Sequence, residues 1–138
     1  MGKKVIGLNQ YLKEVVDKPF EWGVHDCLTF TNGAWHAMYG YGWADDWLGK
    51  YMVDGKPMRR DQLIKTFRST SFEKSVSEKL MPSERPVYGS LVTSKKNQRW
   101  VIGVAMGISV GSRCIFLGKD GLIKLHAEDV ESCWVPYV

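Results

Sequence analysis

The sequence predicts an α+β fold, with helices in the first half of the chain and an antiparallel sheet in the second. Residues 1–81 carry apolar side chains at helical spacings, whereas residues 87–138 form short β-branched and aromatic segments separated by glycine or polar turns. Strands that follow one another, instead of alternating with helices, favour an antiparallel sheet over a doubly wound one. A length of 138 residues fits a single domain.

Three of the predicted helices are short and amphipathic. The first ends before Pro19, which cannot continue a helix, and two more are expected near 61–67 and 72–80. Residues 41–57 are rich in glycine, tryptophan and aspartate and are predicted to form a long loop. The first helix has one apolar face, formed by Leu8, Leu12, Val15 and Val16.

The fourth predicted helix runs from residue 26 to about Gly40 and carries the candidate nucleophile. Asp26 suits the N-cap because its carboxylate can accept from first-turn N–H groups, and Gly40 suits a left-handed C-terminus. Cys27 then lies in the first turn, where unpaired N–H groups and the helix dipole favour a thiolate. The alternative is a structural cysteine, since free cysteines are often small core residues.

Five strands are predicted in the second half, in the order of a meander. The turn Lys119-Asp120-Gly121 is a strong hairpin signal, because glycine adopts positive φ without steric cost. The predicted strands are 90–93, 101–110, 114–117, 122–125 and 134–137.

Composition argues against several classes of protein. The net charge of +4 is not accompanied by a basic helix interleaved with aromatics, so no specific nucleic-acid partner is expected. Three cysteines without metal-ligand spacing predict neither a disulfide framework nor a metal site, and no cofactor is expected. The sequence has no apolar signal segment and no run of about 20 apolar residues that would span a membrane.

The segment around Cys27 resembles the NlpC/P60-like proteins of the papain-like superfamily. Phe20-Glu21-Trp22-Gly23-Val24-His25-Asp26-Cys27 is similar to the motif F-x-W-G-x-x-D-C of a short subfamily common in bacteriophage genomes. Three later segments are similar to that subfamily in the same order. They are residues 46–51, with Leu48 where arginine is usual, residues 88–92, with Ser90 in place of aspartate, and the G-I-x-x-G segment 107–111.

The resemblance implies a papain-like half-fold in which the cysteine-bearing helix packs on the C-terminal sheet. Active members of the superfamily cut peptide or amide bonds, often in peptidoglycan, with a cysteine nucleophile and a histidine base. That histidine opens the strand H-V-G-I-x-x-G, and Ala105 occupies its position in this sequence. A thiol needs a base within hydrogen-bond reach, so the substitution argues against hydrolysis.

The chain has three histidines that could replace the missing base. His36 follows Cys27 by nine residues on the same predicted helix, which corresponds to about 13 Å. His25 precedes the helix cap and is expected to point elsewhere. His126 follows a predicted strand and remains the candidate base, with Asp26 as the helix cap or as a group that orients the base.

Aromatic side chains are expected beside Cys27, in a groove for a substrate or a protein partner. Core packing is the alternative interpretation, because large aromatics contribute most of their stabilisation when buried. The four tryptophans assigned to this groove are Trp22, Trp43, Trp47 and Trp100.

Two functions follow from these patterns. The first is a bacteriophage virion protein, in the tail or tail tip, that lacks a complete catalytic triad and binds other phage structural proteins. The alternative is a cysteine peptidase or amidase that cleaves peptidoglycan with Cys27 and a non-standard base. In either case the chain is expected to be made in the bacterial cytoplasm without a signal peptide and to be incorporated into a virion. A small phage-encoded regulator of a host protein is a third possibility that no motif favours.

Overall fold

The computed structural model describes residues 2–98 and 100–137 and has the α+β arrangement that the sequence predicts. The helices come first, and all strands of the larger sheet follow them. The α-helices are α1 (Lys3–Val15), α2 (Cys27–Tyr39), α3 (Arg60–Phe67) and α4 (Phe72–Ser77). The strands are β1 (Met52–Val53), β2 (Lys56–Pro57), β3 (Met81–Ser83), β4 (Leu91–Ser94), β5 (Ala105–Ser109), β6 (Arg113–Leu117), β7 (Leu122–His126) and β8 (Ser132–Val135).

The larger sheet has six strands in the order β3-β8-β4-β5-β6-β7, and every neighbouring pair is antiparallel. Strands β4 to β7 form the predicted meander. The last strand departs from it, because β8 lies between β3 and β4 instead of beside β7. Trp134 of β8 pairs with Leu91 of β4, so this return places a large apolar side chain beside another core residue.

Alternate residues of the sheet belong to two different apolar cores, as the two-residue period of a strand requires. Leu91 and Met106 pack with the helices in the first core. Their neighbours Val92 and Ala105 belong to the second core, on the opposite face. The helices therefore cover one face of the sheet only.

The second core is built from the sheet's own strands and the turn before β8. Because no helix contributes to it, the sheet must curl so that β6, β7 and β8 approach one another across this face. The curl also explains how the short segment 127–131 connects β7 to β8. Its buried members are Val92, Ala105, Cys114, Phe116 and Cys133.

Helix α2 is the centre of the helical layer. It packs against α1 on one side and against β5 on the other. A Cβ atom at Gly7 of α1 would lie 2.1 Å from the carbonyl oxygen of Ala37, so the two helix backbones meet where glycine is required. Tyr11 ties the same pair together, because its hydroxyl donates to the carbonyl of Phe30 at 2.8 Å.

Several boundaries differ from those that the sequence predicts. The loop predicted over 41–57 contains the β1–β2 hairpin, whose turn places Asp54 and Gly55 at φ of 50° and 74°. Asp-Gly is a strong hairpin signal, but the flanking strands are too short to be recognised by periodicity. Strand β5 begins at Ala105 and not at 101, because residues 101–103 form a turn and a bend before it. No helix within the described residues is long and apolar enough to cross a membrane.

Candidate functional site

Asp26 caps α2 and is completely buried. Its Oδ1 accepts from the Thr29 backbone N–H at 2.9 Å, and the Thr29 hydroxyl oxygen accepts from the Asp26 N–H at 2.7 Å. Its Oδ2 accepts from the Gly23 N–H at 2.8 Å and from the Tyr51 hydroxyl at 2.5 Å. Both carboxylate oxygens are thus engaged in holding the helix start, the preceding loop and Tyr51. This agrees with the cap that the sequence predicts, and none of the three partner residues, Gly23, Thr29 and Tyr51, is a histidine that Asp26 would orient.

Cys27 is the first residue of α2 and is partly buried against the first core. Burial, with a smaller contribution from the Asp26 carboxylate, raises the pKa of its thiol to about 12. The backbone N–H groups of Cys27, Leu28 and Met106 act in the opposite direction and lower the pKa, but by less. The helix N-terminus was expected to favour a thiolate; desolvation outweighs it, and the thiol is protonated at neutral pH.

The strand that faces Cys27 presents a backbone group to the sulfur. Met106 of β5 belongs to the same core as Cys27, and its N–H interacts with the sulfur. Ala105, the position at which the resemblance places the histidine base, packs in the second core on the other face of the sheet. The side chain at position 105 therefore points away from Cys27.

His126 does not lie beside Cys27. It ends β7, the edge strand, and pairs across the ladder with Arg113. Because β7 is two strands away from β5, the sheet alone separates them by about 10 Å. His126 is exposed, and its Nδ1 lies 3.1 Å from the Arg113 guanidinium. The His126 ring therefore lies beside Arg113, and within the described residues it makes no hydrogen bond to the Cys27 sulfur.

The other two histidines also have different surroundings. The His36 Nε2 lies 2.7 Å from Asp45 Oδ1, at the junction between α2 and the following loop. His25 is buried against Phe30, and burial lowers the pKa of its ring, which is uncharged at neutral pH. Its Nε2 atom has no hydrogen-bond partner in the described structure. Within the described residues, no hydrogen bond joins a histidine ring to the sulfur of Cys27.

Tyr51 is a site residue that the sequence did not reveal. It is almost completely buried, donates to Asp26 and stacks at a tilt on Trp100, with ring centroids 5.2 Å apart. Burial and the Asp26 carboxylate both raise the pKa of its phenol. Two signals could have found it: Tyr51 ends the segment 46–51 that resembles the subfamily, and it directly precedes the first strand of a hairpin with an Asp-Gly turn.

The four tryptophans predicted to line a groove lie in different surroundings and do not share one groove. Trp43 is a core residue, 4% exposed, and its indole N–H donates to the Thr31 hydroxyl at 3.2 Å. Trp22 is partly buried and contacts Trp100 edge to face at 5.6 Å. Trp47 and Trp100 line a cavity; Trp22 and Trp43 do not. Two of the four therefore line one cavity, which Cys27 does not line, and the other two pack elsewhere.

The cavity that these two tryptophans line has a volume of about 280 Å³ and is open on one side. Its walls come from α3, α4 and the segment 100–104, and its floor includes Leu28, the residue after Cys27, together with Tyr51. Cys27 itself does not line it. The volume lies just below the usual range of small-molecule pockets.

The described residues contain no group of three histidine, cysteine or acidic side chains placed to hold a metal ion. Cys114 and Cys133 are free and buried in the second core. The polar groups around Cys27 act instead on one another, through hydrogen bonds to Asp26.

The fold and the site together define an α+β protein in which a partly buried, protonated cysteine opens the central helix. Residues 5–135 match the family described as "Domain of unknown function (DUF6950)", and the chain belongs to that family. No curated protein and no solved structure matches the chain.

Proposed function

We propose that the chain is a non-catalytic member of the papain-like NlpC/P60 superfamily that acts by protein–protein interaction in a bacteriophage virion, in the tail or tail tip. Its partners would be other phage structural proteins. The observation that carries the non-catalytic assignment is that no histidine ring hydrogen-bonds the Cys27 sulfur within the described residues, and the raised pKa of the thiol agrees with it. The virion assignment derives from the sequence resemblance.

The arrangement around Cys27 supports a papain-like ancestry. A cysteine opens a central helix behind an aspartate cap, and that helix packs against β5 of an antiparallel sheet. The Met106 N–H of the same strand approaches the sulfur, so the strand that carries the base in active relatives lies beside the thiol. The F-x-W-G-x-x-D-C segment forms the loop and cap of this arrangement.

The chemistry supports loss of hydrolysis. A nucleophilic thiol needs a base that takes its proton and a third group that orients the base. At Cys27 burial and the Asp26 carboxylate both disfavour a thiolate, and neither supplies a base that could take the thiol proton. The large exposed apolar side chains of the described residues are mainly aliphatic, and Tyr41 and Tyr137 are the aromatic members. An exposed aromatic surface is therefore not among the observations that support a protein–protein interaction.

Alkylation of Cys27 tests the non-catalytic assignment. Iodoacetamide labelling of the folded protein, followed residue by residue with peptide mass spectrometry, should be slow at pH 7. It should accelerate about tenfold per pH unit up to at least pH 10, because the reactive thiolate fraction rises in that proportion. Cys114 and Cys133 serve as internal buried controls. A labelling rate that reaches a plateau below pH 8 would contradict the proposal, since it would report an activated thiolate.

A cysteine hydrolase is the second candidate, favoured by the cavity that begins at Leu28 and Tyr51 next to Cys27. Purified peptidoglycan incubated with the protein separates the two functions. Release of new amino groups that is lost in Cys27→Ala would establish the hydrolase. Equal, background release from both proteins is the result expected for a non-catalytic member.

The virion assignment has its own test. Particles of the phage that encodes the chain should contain it after density-gradient purification, in a constant ratio to a major tail protein. If the chain stays entirely in the supernatant of the lysate, the virion role is wrong, whatever the outcome at Cys27.

A further inference from the structure

The cavity beside α3 and α4 has mainly apolar walls, and two arginines lie at or next to its edge. Leu63, Phe67 and Phe72 come from the two helices, and Ile102 and Val104 close the opposite side. All five are partly buried in the described structure. Apolar side chains that line an open cavity keep contact with water, and an apolar group that enters the cavity would release this water.

One basic and one acidic side chain line the cavity, Arg60 and Glu73, within a segment of the chain that is basic as a whole. Residues 59–74 carry five basic and two acidic side chains, a net charge of +3. Arg60 lines the cavity, and no ion pair is formed by its guanidinium within the described residues. Glu73 lines the cavity as well and offsets this charge, so the excess of positive charge comes from Arg59 in the adjoining depression and from the basic segment that forms the cavity walls.

A second, shallower depression continues the cavity towards a second arginine. It shares Trp100 and Val101 with the cavity and extends to Arg59, Met58 and Gln98. Arg59 is paired with Asp61 at 3.2 Å, but both side chains are more than two-thirds exposed, so this ion pair is weak and can be exchanged for a ligand. The two depressions together place an apolar chamber next to two guanidinium groups.

We propose that this cavity binds an amphipathic acid: an aromatic or aliphatic group that enters the chamber, joined to a carboxylate or other acidic group that lies at the Arg59–Arg60 rim. Such an acid is either a free small molecule or an acidic segment of a partner protein with one apolar anchor residue. The site does not depend on catalysis at Cys27, which does not line it.

The probe for this chemistry is 8-anilinonaphthalene-1-sulfonate, which joins an aromatic body to an acidic group. Its neutral relative N-phenyl-1-naphthylamine has nearly the same body without the acid. Fluorescence titration of the folded protein should show saturable binding of both probes, with the sulfonate bound more tightly. The expected difference is about two- to fivefold, the range of exposed charge pairs, and it should decrease at high salt.

Two pairs of variants locate the binding. Arg60→Gln should weaken binding of the sulfonate about two- to fivefold and leave the neutral probe unchanged, while Lys65→Gln, on the same helix but outside the cavity, should change neither. Val101→Glu should weaken the sulfonate further, because it adds a negative charge to the shared rim. Val24→Glu is its control, since Val24 is 68% exposed and lies outside both depressions. Thermal melts verify that each variant is folded.

Competition separates the two sources of the acid. Displacement of the sulfonate by 3-phenylpropionate at lower concentration than by the capped peptide acetyl-Glu-Phe-Glu-amide identifies a small-molecule site. The reverse order identifies a peptide site. The proposal is overturned if neither probe binds saturably, or if Arg60→Gln and Lys65→Gln have the same effect on the sulfonate.

Discussion

The Tyr51 hydroxyl donates to Oδ2 of Asp26 across 25 residues of chain, and both side chains are buried. This hydrogen bond connects the start of the central helix to the β1–β2 hairpin. It also holds an acidic group and a phenol next to the Cys27 thiol. Burial and the Asp26 carboxylate keep the proton on this thiol, so the carboxylate that fixes the local fold also disfavours the thiolate.

Tyr51→Phe should destabilise the protein by about 1.5–3 kcal/mol, the range for a hydrogen bond to a charged group. The Asp26 carboxylate would keep the Gly23 and Thr29 N–H donors but lose the third. Urea unfolding measures the change. Tyr41→Phe is the matched control because Tyr41 is 49% exposed. Equal free energies of unfolding for the two variants would show that the Asp26 contact contributes nothing.

Stability should fall at alkaline pH, partly through Cys27. Its thiol has a pKa of about 12 in the folded protein against 9.0 for an ordinary cysteine. The unfolded chain therefore loses this proton first. The contribution to stability is complete below pH 9 and is lost as pH rises towards 12, at up to about 1 kcal/mol per pH unit. Burial raises the pKa of Tyr11 and Tyr51 also, and these act in the same direction above pH 10.

Unfolding of Cys27→Ala between pH 8 and 10 isolates the thiol. Below pH 10 the two tyrosines contribute little, so the free energy of unfolding of the variant should decline less steeply than that of the parent protein. Parallel declines would mean that the Cys27 thiol has an ordinary pKa in the folded state, contrary to our description of the site.

The acid side of the stability profile should depend on Asp45. Hydrogen bonds from Asn32 and then His36 lower the pKa of its carboxyl from 3.8 to about 2. The contribution is therefore present above pH 3.8 and is lost as pH falls through 2. Asp45→Asn should reduce the loss of stability between pH 4 and 2. Asp54→Asn, in the exposed hairpin turn, should leave it unchanged; if both variants behave alike in thermal melts, the junction at Asp45 is not the cause.

A histidine introduced at position 105 should not create a cysteine–histidine pair with Cys27. The side chain of Ala105 lies in the second core, so Ala105→His would bury an imidazole away from Cys27 and destabilise the fold. Alkylation of Cys27 at pH 7 should stay slow in any folded Ala105→His protein. Met106→His places the ring in the core that contains Cys27 and is the comparison. Faster labelling in Ala105→His than in Met106→His would show that the strand face is assigned incorrectly.

Gly7→Ala should destabilise the contact between α1 and α2. The added methyl group would lie 2.1 Å from the carbonyl oxygen of Ala37, so the helices must separate. Overpacking of this kind costs about 1–3 kcal/mol. Gly2→Ala, with no atom within 4 Å of the new Cβ, is the control; alanine is a poorer N-cap than glycine, so its free energy of unfolding should fall by less than about 1 kcal/mol. A similar small change in Gly7→Ala would refute the close approach.

Local chemistry accounts for what could be predicted from the sequence. The cap at Asp26 and the left-handed Gly40, with φ of 83°, define α2 because both act on backbone groups within one turn. The turn before Gly121 joins β6 to β7 in the same way, with Leu117 paired to Leu122. Signals of this range do not depend on the rest of the fold.

The features that could not be predicted from the sequence depend on long-range contacts. The hairpin at Asp54 and Gly55 has two residues per strand, too few for a periodic pattern, and with it the inward position of Tyr51 was missed. His126 was a candidate base because its place in the sheet could not be known. Its separation from Cys27 follows from strand order, which short turns and strand patterns do not determine.

By itself the sequence determined the order of helices before strands, the helix that begins at Cys27, and the absence of a histidine at position 105. Only the tertiary structure decided that the Cys27 thiol is desolvated beside Asp26 and Tyr51, that position 105 faces the second core, and that α3 and α4 enclose a cavity next to Trp100. The physical reason is that burial and electrostatic environment are properties of neighbours in space, which the chain brings together from 25 to nearly 80 residues apart.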